Sequence, residues 1–241
     1  MFKNSCSKEM RLLELFAGTG SIGKAFREAG WEVVSLDIDP KSGADITADI
    51  LEWDFTGAGE FDAVWASPCC THYSVARTTA KTPRNLLWAD SLVRRTLEII
   101  EYIDPKVWGF ENPASGLLKH RDVVAGLHFK DVSYCMYGYP YRKYTRIWTN
   151  SERWVPRPKC TMSNPCPMIR EGKHPQSAQR GPSRGKGKQD VCSLGQLYSI
   201  PPELCQEIAR AWTEEVGGSM GSHWPPNLED DDSVLEDDGS V

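Results

Sequence analysis

Two cysteines stand side by side in ASPCCTHYS, residues 66–74, just past an apolar run, with His72 and Tyr73 following them. A second apolar run, KVWGFENP, ends in Glu111, Asn112 and Pro113. If both runs are parallel strands of one sheet, a thiol and a carboxyl meet at its carboxyl edge. Such a pair suits addition to a pyrimidine ring: sulfur attacks C6, the acid steadies protonated N3, and C5 becomes nucleophilic. A buried cysteine taken alone is more often inert packing, so the acid on the second run gives the pair its chemical meaning. A third group, Cys160, Cys166, His174 and Cys192, lies in or beside a loop-rich stretch and offers zinc-ligand types. Its C-x5-C spacing is wider than a standard finger, and free thiols are the alternative reading.

The elements that must position these residues follow from the hydrophobic pattern. RLLELFA runs into the glycine turn GTGS and then into SIGKAFREAG, whose apolar residues recur at helical spacing: strand, turn, helix. WEVVSLDID is a second β-rich run, ADITADI follows it, and FDAVWAS is a third strand bounded by SPCC. LLWADSLVRRTLEIIEYID puts Leu92, Thr96, Ile99 and Ile103 on one helical face, and Pro105 stops it. DVSYCMYGYPYRKYTRIWTN reads as a β-rich pair broken by Gly138 and Pro140, and PPELCQEIARAWTEEV as a helix with Pro202 in its first turn. Strands alternating with helices predict an α/β doubly wound parallel sheet, with ligands beyond the carboxyl ends of the strands.

The glycine turn Ala17 to Gly20 offers backbone amides and a helix start to a ligand. It lacks the third glycine of a dinucleotide loop and the G-K-S/T of a nucleoside triphosphate loop. Asp37, ending the second run, stands where a carboxylate accepts from ribose hydroxyls, or is a turn acid. Asp49 can take an adenine amino proton, or is a loop acid.

A chain of 241 residues is long enough for one α/β domain with a small insertion. No apolar stretch reaches the roughly eighteen residues of a membrane span, and the N-terminus has no apolar signal core, so an intracellular protein without membrane contact is expected, in cytoplasm, nucleus or a virus-infected cell. Eight cysteines in so long a chain without an export signal read as thiols, ligands or nucleophiles rather than a disulfide framework. The net charge of −5 is carried by the end of the chain, since EDDDSVLEDDGSV holds seven of the 33 acidic residues and the rest is slightly basic. Between Arg153 and Lys188 there are nine Lys or Arg and one Glu, an excess that attracts phosphate or forms a solvated loop.

Taken in order and spacing, LELFAGTGSIGKAF, ASPCCTHYS, GFENP and YGYPYRKYTRIW resemble the ordered motifs of the DNA cytosine-C5 methyltransferases, over roughly residues 11–150. GQLYSIPPELCQEI is similar to the family's closing motif, which packs back beside the cofactor, although the Gln196 region departs from its Gly-Asn-x-x-Pro. The resemblance implies a Rossmann-like S-adenosylmethionine-dependent fold. It divides the chain into a catalytic core over 10–150, a small basic target-recognition insertion over 151–192, a closing segment over 193–217 and an acidic disordered tail over 218–241.

In the family the nucleophile sits in Pro-Pro-Cys-Gln-x-Phe-Ser. Setting Tyr73-Ser74 on Phe-Ser places Cys70 on the nucleophile and Cys69 on a proline. Aligning from Pro-Cys selects Cys69 and needs one inserted residue. We take Cys70. Thr71 replaces the usual Gln.

The resemblance further implies that Phe16, Ala17, Gly18, Thr19, Gly20 and Pro68 hold S-adenosylmethionine, with Asp37 at its ribose and Ile38, Asp49 and Ile50 at its adenine. Glu111 would partner N3, and Asn112 would brace the cysteine loop, with ENP in place of the commoner ENV. Arg146 would be the last catalytic arginine of Gln-x-Arg-x-Arg, with Arg142 and Lys143 competing for the middle one, and Ser74, Arg142 and Lys143 would touch the nucleic acid. The implied partner is DNA bound by a monomer, with the target cytosine flipped from the stack and short or weak sequence recognition. An RNA cytosine-C5 methyltransferase and a non-catalytic DNA-binding relative of the same fold remain open at this level. An amino-methyltransferase, which wants Asp/Asn/Ser-Pro-Pro-Tyr/Phe and no nucleophile, fits SPCC less well.

Overall fold

The computed structural model describes residues 9–75, 77, 80–178 and 190–218. The apolar runs become β1 (Arg11–Leu15), β2 (Glu32–Asp37), a short β3 (Ile46–Thr47), β4 (Ala63–Ala66), β5 (Val107–Pro113), β6 (Phe129–Ser133) and β7 (Tyr144–Thr149). They form one sheet in the order β3-β2-β1-β4-β5-β7-β6, parallel except for β7, which runs against both of its neighbours. This is the expected doubly wound α/β sheet. The central strands β1 and β4 are buried almost throughout, as parallel strands covered on both faces must be.

Successive residues of β1 enter opposite cores. Leu12 packs with Phe26, Trp65 and Trp212 beneath α1 (Ser21–Glu28) and the last helix, and Leu13 packs with Val64, Val93 and Phe110 beneath α2 (Leu86–Ile103). On the first face Trp212 lies edge-on to Phe26 at 5.7 Å and tilted to Trp65 at 5.9 Å. A side chain at Gly109 would meet the Trp212 ring at 3.2 Å, so a glycine in β5 lets this ring reach the sheet. Asn85 caps α2 by accepting from the Trp88 amide, and the left-handed Asp104 with Pro105 ends it. Leu92, Thr96 and Ile99 are buried as the spacing predicts, and Thr96 returns its hydroxyl to the Leu92 carbonyl.

Two short strands, β8 (Gln176–Ser177) and β9 (Asp190–Val191), make a separate parallel ladder. A five-residue helix, α3 (Leu194–Tyr198), then leads into α4 (Pro202–Gly217), which packs against α1 and carries Trp212. Trp31 Nε1 donates to Thr213 Oγ1 at 2.8 Å, and the Ile200 amide donates to Ser21 Oγ, so the closing segment sits against the start of α1.

Because β7 is reversed, it starts at the edge where the parallel strands end and finishes where they begin. There Asn150 takes the Trp108 amide and donates to the Lys106 carbonyl. The chain then climbs back along α4. Ser151 bonds Glu215, Trp154 enters the core, Arg157 pairs with Glu203 and Glu207, and the Cys160 amide reaches Ser133 at the end of β6. The expected insertion therefore begins as a strap on the core. Its residues 179–189, and the acidic tail from 219, lie outside the described residues. Among the described residues no helix is long and apolar enough to cross a membrane.

Candidate active site

The turn after β1 is held in an uncommon backbone shape. Phe16, Gly18 and Gly20 all have positive φ, of 55°, 52° and 65°. That region suits glycine, but a phenylalanine there is strained and is kept only by its surroundings. The Ala17 amide donates to the Leu36 carbonyl and the Gly18 amide to Asp37 Oδ2 at 2.8 Å, which ties the turn to the end of β2. The other oxygen of Asp37 accepts from the Asp39 amide. Beside it Ile38 is 65% exposed, an apolar side chain left without cover. Helix α1 starts at the left-handed Gly20, which has no side chain to cap it, and its first-turn Gly23 amide is taken from within by Glu14. Thr19, Gly20, Ser199 and Ile200 line a cleft of about 260 Å³. Asp49 accepts from the Leu51 amide, and Ile50, expected against adenine, has its side chain buried in the core instead.

Under this turn Glu14 points from β1 into α1. Its Oε1 accepts from the Gly23 amide at 3.1 Å, and a side chain at Gly23 would collide with its Oε2 at 2.3 Å. Burial pushes its carboxyl up to about 7 against the pull of that hydrogen bond and of Arg27.

Beyond β4 the cysteine loop is fastened from below. The Tyr73 amide closes a turn on the Cys70 carbonyl, and the fully buried Tyr73 donates its hydroxyl to Asp90 of α2, which a two-pronged Arg121 also grips. His72 accepts the Asn85 amide, and Arg84 donates to the carbonyls of His72 and Ser74. Pro68 is buried, and its carbonyl accepts from the side chain of Asn112 at the end of β5. Ser74 is half-buried beside this loop.

Cys70 and Glu111 are electrostatic neighbours. Burial first, and the Glu111 carboxyl second, push the Cys70 thiol up to about 11, while Lys143 draws it down. Burial likewise raises Glu111 above the ordinary carboxylate range, opposed by Lys143. Glu111 Oε2 is buried without a hydrogen-bond partner, as is Asn112 Oδ1. Burial thus disfavours the charged form of both the thiol and the carboxyl, and Lys143 opposes it in each case. Cys69 is turned elsewhere: its thiol faces Thr71 Oγ1 at 3.4 Å, and it packs on the second core.

Arg146 is placed away from the Glu111 face. In β7 it lies opposite Asn112 on one side and Asp131 on the other, and Asp131 takes it in a fork at 2.7 and 3.0 Å, with Lys159 as a further partner of the same acid. Its guanidinium lies 3.4 Å over the Phe129 ring. Alternation along the strand puts Glu111 and Ile147 on the opposite face. Lys143, one of the two residues competing for the middle position, is the cation that faces the site. It donates to the Leu197 carbonyl and lies 4.8 Å from the Tyr134 ring. Arg142 is exposed and sits over Tyr144.

The expected ligand group also changes by one member. Cys160, Cys166 and His174 gather with Cys135, and their four ligand atoms all lie within 4.8 Å of one another. Cys192 stands apart, its thiol facing the Ser177 carbonyl at 3.1 Å and Gln176 Oε1 at 3.6 Å. Cys135 escaped the sequence reading because it sits in the turn after β6, far upstream of the other three.

No protein-family model matches the chain. It is 34% identical over 225 residues to a protein of Frog virus 3 (isolate Goorha) described as a probable DNA (cytosine-5)-methyltransferase, covering 83% of this chain and 98% of that one. Among solved structures, it is similar to a prophage-encoded protein of E. coli described as a DNA modification methyltransferase, at 15% identity and a TM-score of 0.46. The Entamoeba histolytica methyltransferase EhMeth aligns at 16% identity and a TM-score of 0.43. These two alignments cover 63% and 58% of this chain and about half, 52% and 53%, of the solved ones.

Proposed function

The chain belongs to the DNA (cytosine-5)-methyltransferase family, and from that premise we propose that it methylates C5 of a cytosine in DNA with Cys70 as nucleophile and Glu111 as the acid at N3. The observation that carries this reading is the buried, unpartnered Oε2 of Glu111 beside the Cys70 thiol. A carboxyl whose burial favours its protonated form is the donor that N3 of cytosine requires.

Cys70 gives up its thiol proton to water and its Sγ bonds to C6 as Glu111 delivers a proton to N3, and the ring's C5=C6 electrons become available at C5. S-adenosylmethionine, when bound, supplies the electrophilic methyl that C5 takes up. Loss of the C5 proton to water then expels the Cys70 sulfur as a thiolate and restores the double bond, and the N3 proton returns to Glu111. Lys143 favours the thiolate and opposes charge build-up as the carboxyl releases its proton. Asn112 keeps the cysteine loop in reach through Pro68.

The residues present fit the cofactor. The turn at Phe16 to Gly20, with its positive-φ backbone, suits its amino-acid end, Asp37 its ribose, and the uncovered Ile38 the face of its adenine, with Asp49 at the amino group. Arg142, Ser74 and the basic strap would meet the phosphates on either side of a flipped nucleotide, in a chain that acts as a monomer.

DNA carrying 5-fluorocytosine tests the reaction. With no C5 proton to lose, the adduct cannot resolve. A covalent complex formed only with S-adenosylmethionine is expected, and cofactor binding without any trapping would overturn the reading. Running 5-fluorocytosine RNA in parallel separates the two polymers.

A further inference from the structure

We infer that Cys135, Cys160, Cys166 and His174 form a structural zinc site that fastens the strap after β7 to the β6–β7 connection bearing Lys143. Three thiols and one imidazole are a closed, four-ligand set of the types zinc prefers, and they leave no position for a substrate.

The distances already suit the ion. Zinc bonds of about 2.3 Å to sulfur and about 2.0–2.1 Å to nitrogen, at the tetrahedral angle, set sulfur and nitrogen about 3.6 Å apart. His174 Nε2 lies 3.3 Å from Cys166 Sγ and 3.7 Å from Cys160 Sγ.

The surroundings give a reason for such a staple. Cys135, Cys160 and Cys166 form a small buried cluster of their own, with Met136, Met168 and Ile169 packed on it among the described residues. From 156 to 178 the chain has little regular structure beyond an isolated bridge, Arg170 with Lys173, and β8. A segment with so small an apolar core cannot offset its ordering entropy by burial, whereas a metal bound by four side chains can. The polypeptide brings the parts together around the same point: the Cys160 amide bonds Ser133, Tyr144 donates to the Cys160 carbonyl, and the Gln176 amide donates to the Pro140 carbonyl. A disulfide between any two of the thiols would strand the third beside the imidazole. The four-ligand arrangement uses all of them.

The test is metal analysis of the full chain, with zinc released by thiol modification and followed by a chromogenic chelator. One zinc per chain is expected. Cys135→Ser should weaken zinc binding by about a hundredfold or more, since loss of even an outer partner of a ligand costs about ten- to a hundredfold, whereas Cys192→Ser should keep the full stoichiometry. Should Cys135→Ser fail to fold, cobalt exchanged into the unaltered chain decides: intense thiolate charge transfer with tetrahedral bands supports the site, and octahedral bands without thiolate ligation overturn it. A folded, metal-free chain, or loss of zinc from Cys192→Ser equal to that from Cys135→Ser, would also overturn it.

Discussion

Asn112 Nδ2 donates to the Pro68 carbonyl at 3.0 Å, joining the ends of β5 and β4 by one buried hydrogen bond. Pro68 and Asn112 are close in the chain to Cys70 and Glu111, so this bond fixes the separation of thiol and carboxyl. In Asn112→Ala the carbonyl of Pro68 loses its partner. Stability should fall by about 1–3 kcal/mol, and the rate of 5-fluorocytosine trapping should fall with it while S-adenosylmethionine affinity, read by calorimetry, is retained. Unchanged trapping would mean that the bond braces nothing.

For Glu111→Gln, an amide replaces the proton donor at nearly equal size. Methyl transfer, followed with radiolabelled cofactor, should drop by roughly 100-fold or more, in the range set by general acid catalysis, with little change in thermal stability. Full activity would remove Glu111 from N3.

The two cysteines are separable. Cys70→Ala should abolish the covalent complex with 5-fluorocytosine DNA, and Cys69→Ala, which loses only its contact with Thr71 and some packing, should still form it. Mass spectrometry of the trapped peptide locates the adduct, and an adduct on Cys69 would reverse the assignment.

Lys143 and Arg146 should behave oppositely. Lys143→Met removes the cation that faces Cys70 and Glu111 and should lower trapping by roughly tenfold or more at unchanged fold. Arg146→Met breaks the fork to Asp131, for which Lys159 remains as partner, and should cost about 1–3 kcal/mol in denaturant while the folded fraction traps at the normal rate. A trapping defect in Arg146→Met without lost stability would restore the catalytic role.

Stability should vary with pH through Glu14. Its carboxyl is raised from 4.5 to about 7 by folding, so between those values the unfolded chain ionises while the folded one keeps its proton. The folded state's advantage is fully present below about 4.5 and is lost as pH rises to about 7, a fall of about 3 kcal/mol. Denaturant titrations of Glu14→Gln across this window should show a flatter profile. An equal slope in both proteins would place the pH dependence elsewhere.

The strands and main helices were legible because each is an apolar run of the right period closed by a glycine, proline or acid, as in FDAVWAS before SPCC. The pairing of Cys70 with Glu111 followed from the same pattern, since both runs end at one sheet edge. The surroundings of Arg146 were not legible because motif spacing tolerates a shift of one residue, whereas a strand does not: one step along β7 moves a side chain through the sheet, from the Glu111 face to Asp131. Cys192 was preferred to Cys135 for a related reason. Nearness along the chain stood in for nearness in space, and only the turn after β6 reveals that Cys135 faces the returning strap.

That strap has a fixed span. It leaves β7 at the foot of the sheet, where Asn150 holds β5, and must regain the top by Cys160, beside the end of β6. Extended chain covers about 3.3 Å per residue, so the climb from Asn150 to Cys160 has length to spare over the six-residue β7, and the anchors at Glu215, Glu207 and Glu203 rather than its length hold it along α4. The path of the strap is therefore written on α4, in three acidic side chains, and replacing them would free it without touching the sheet.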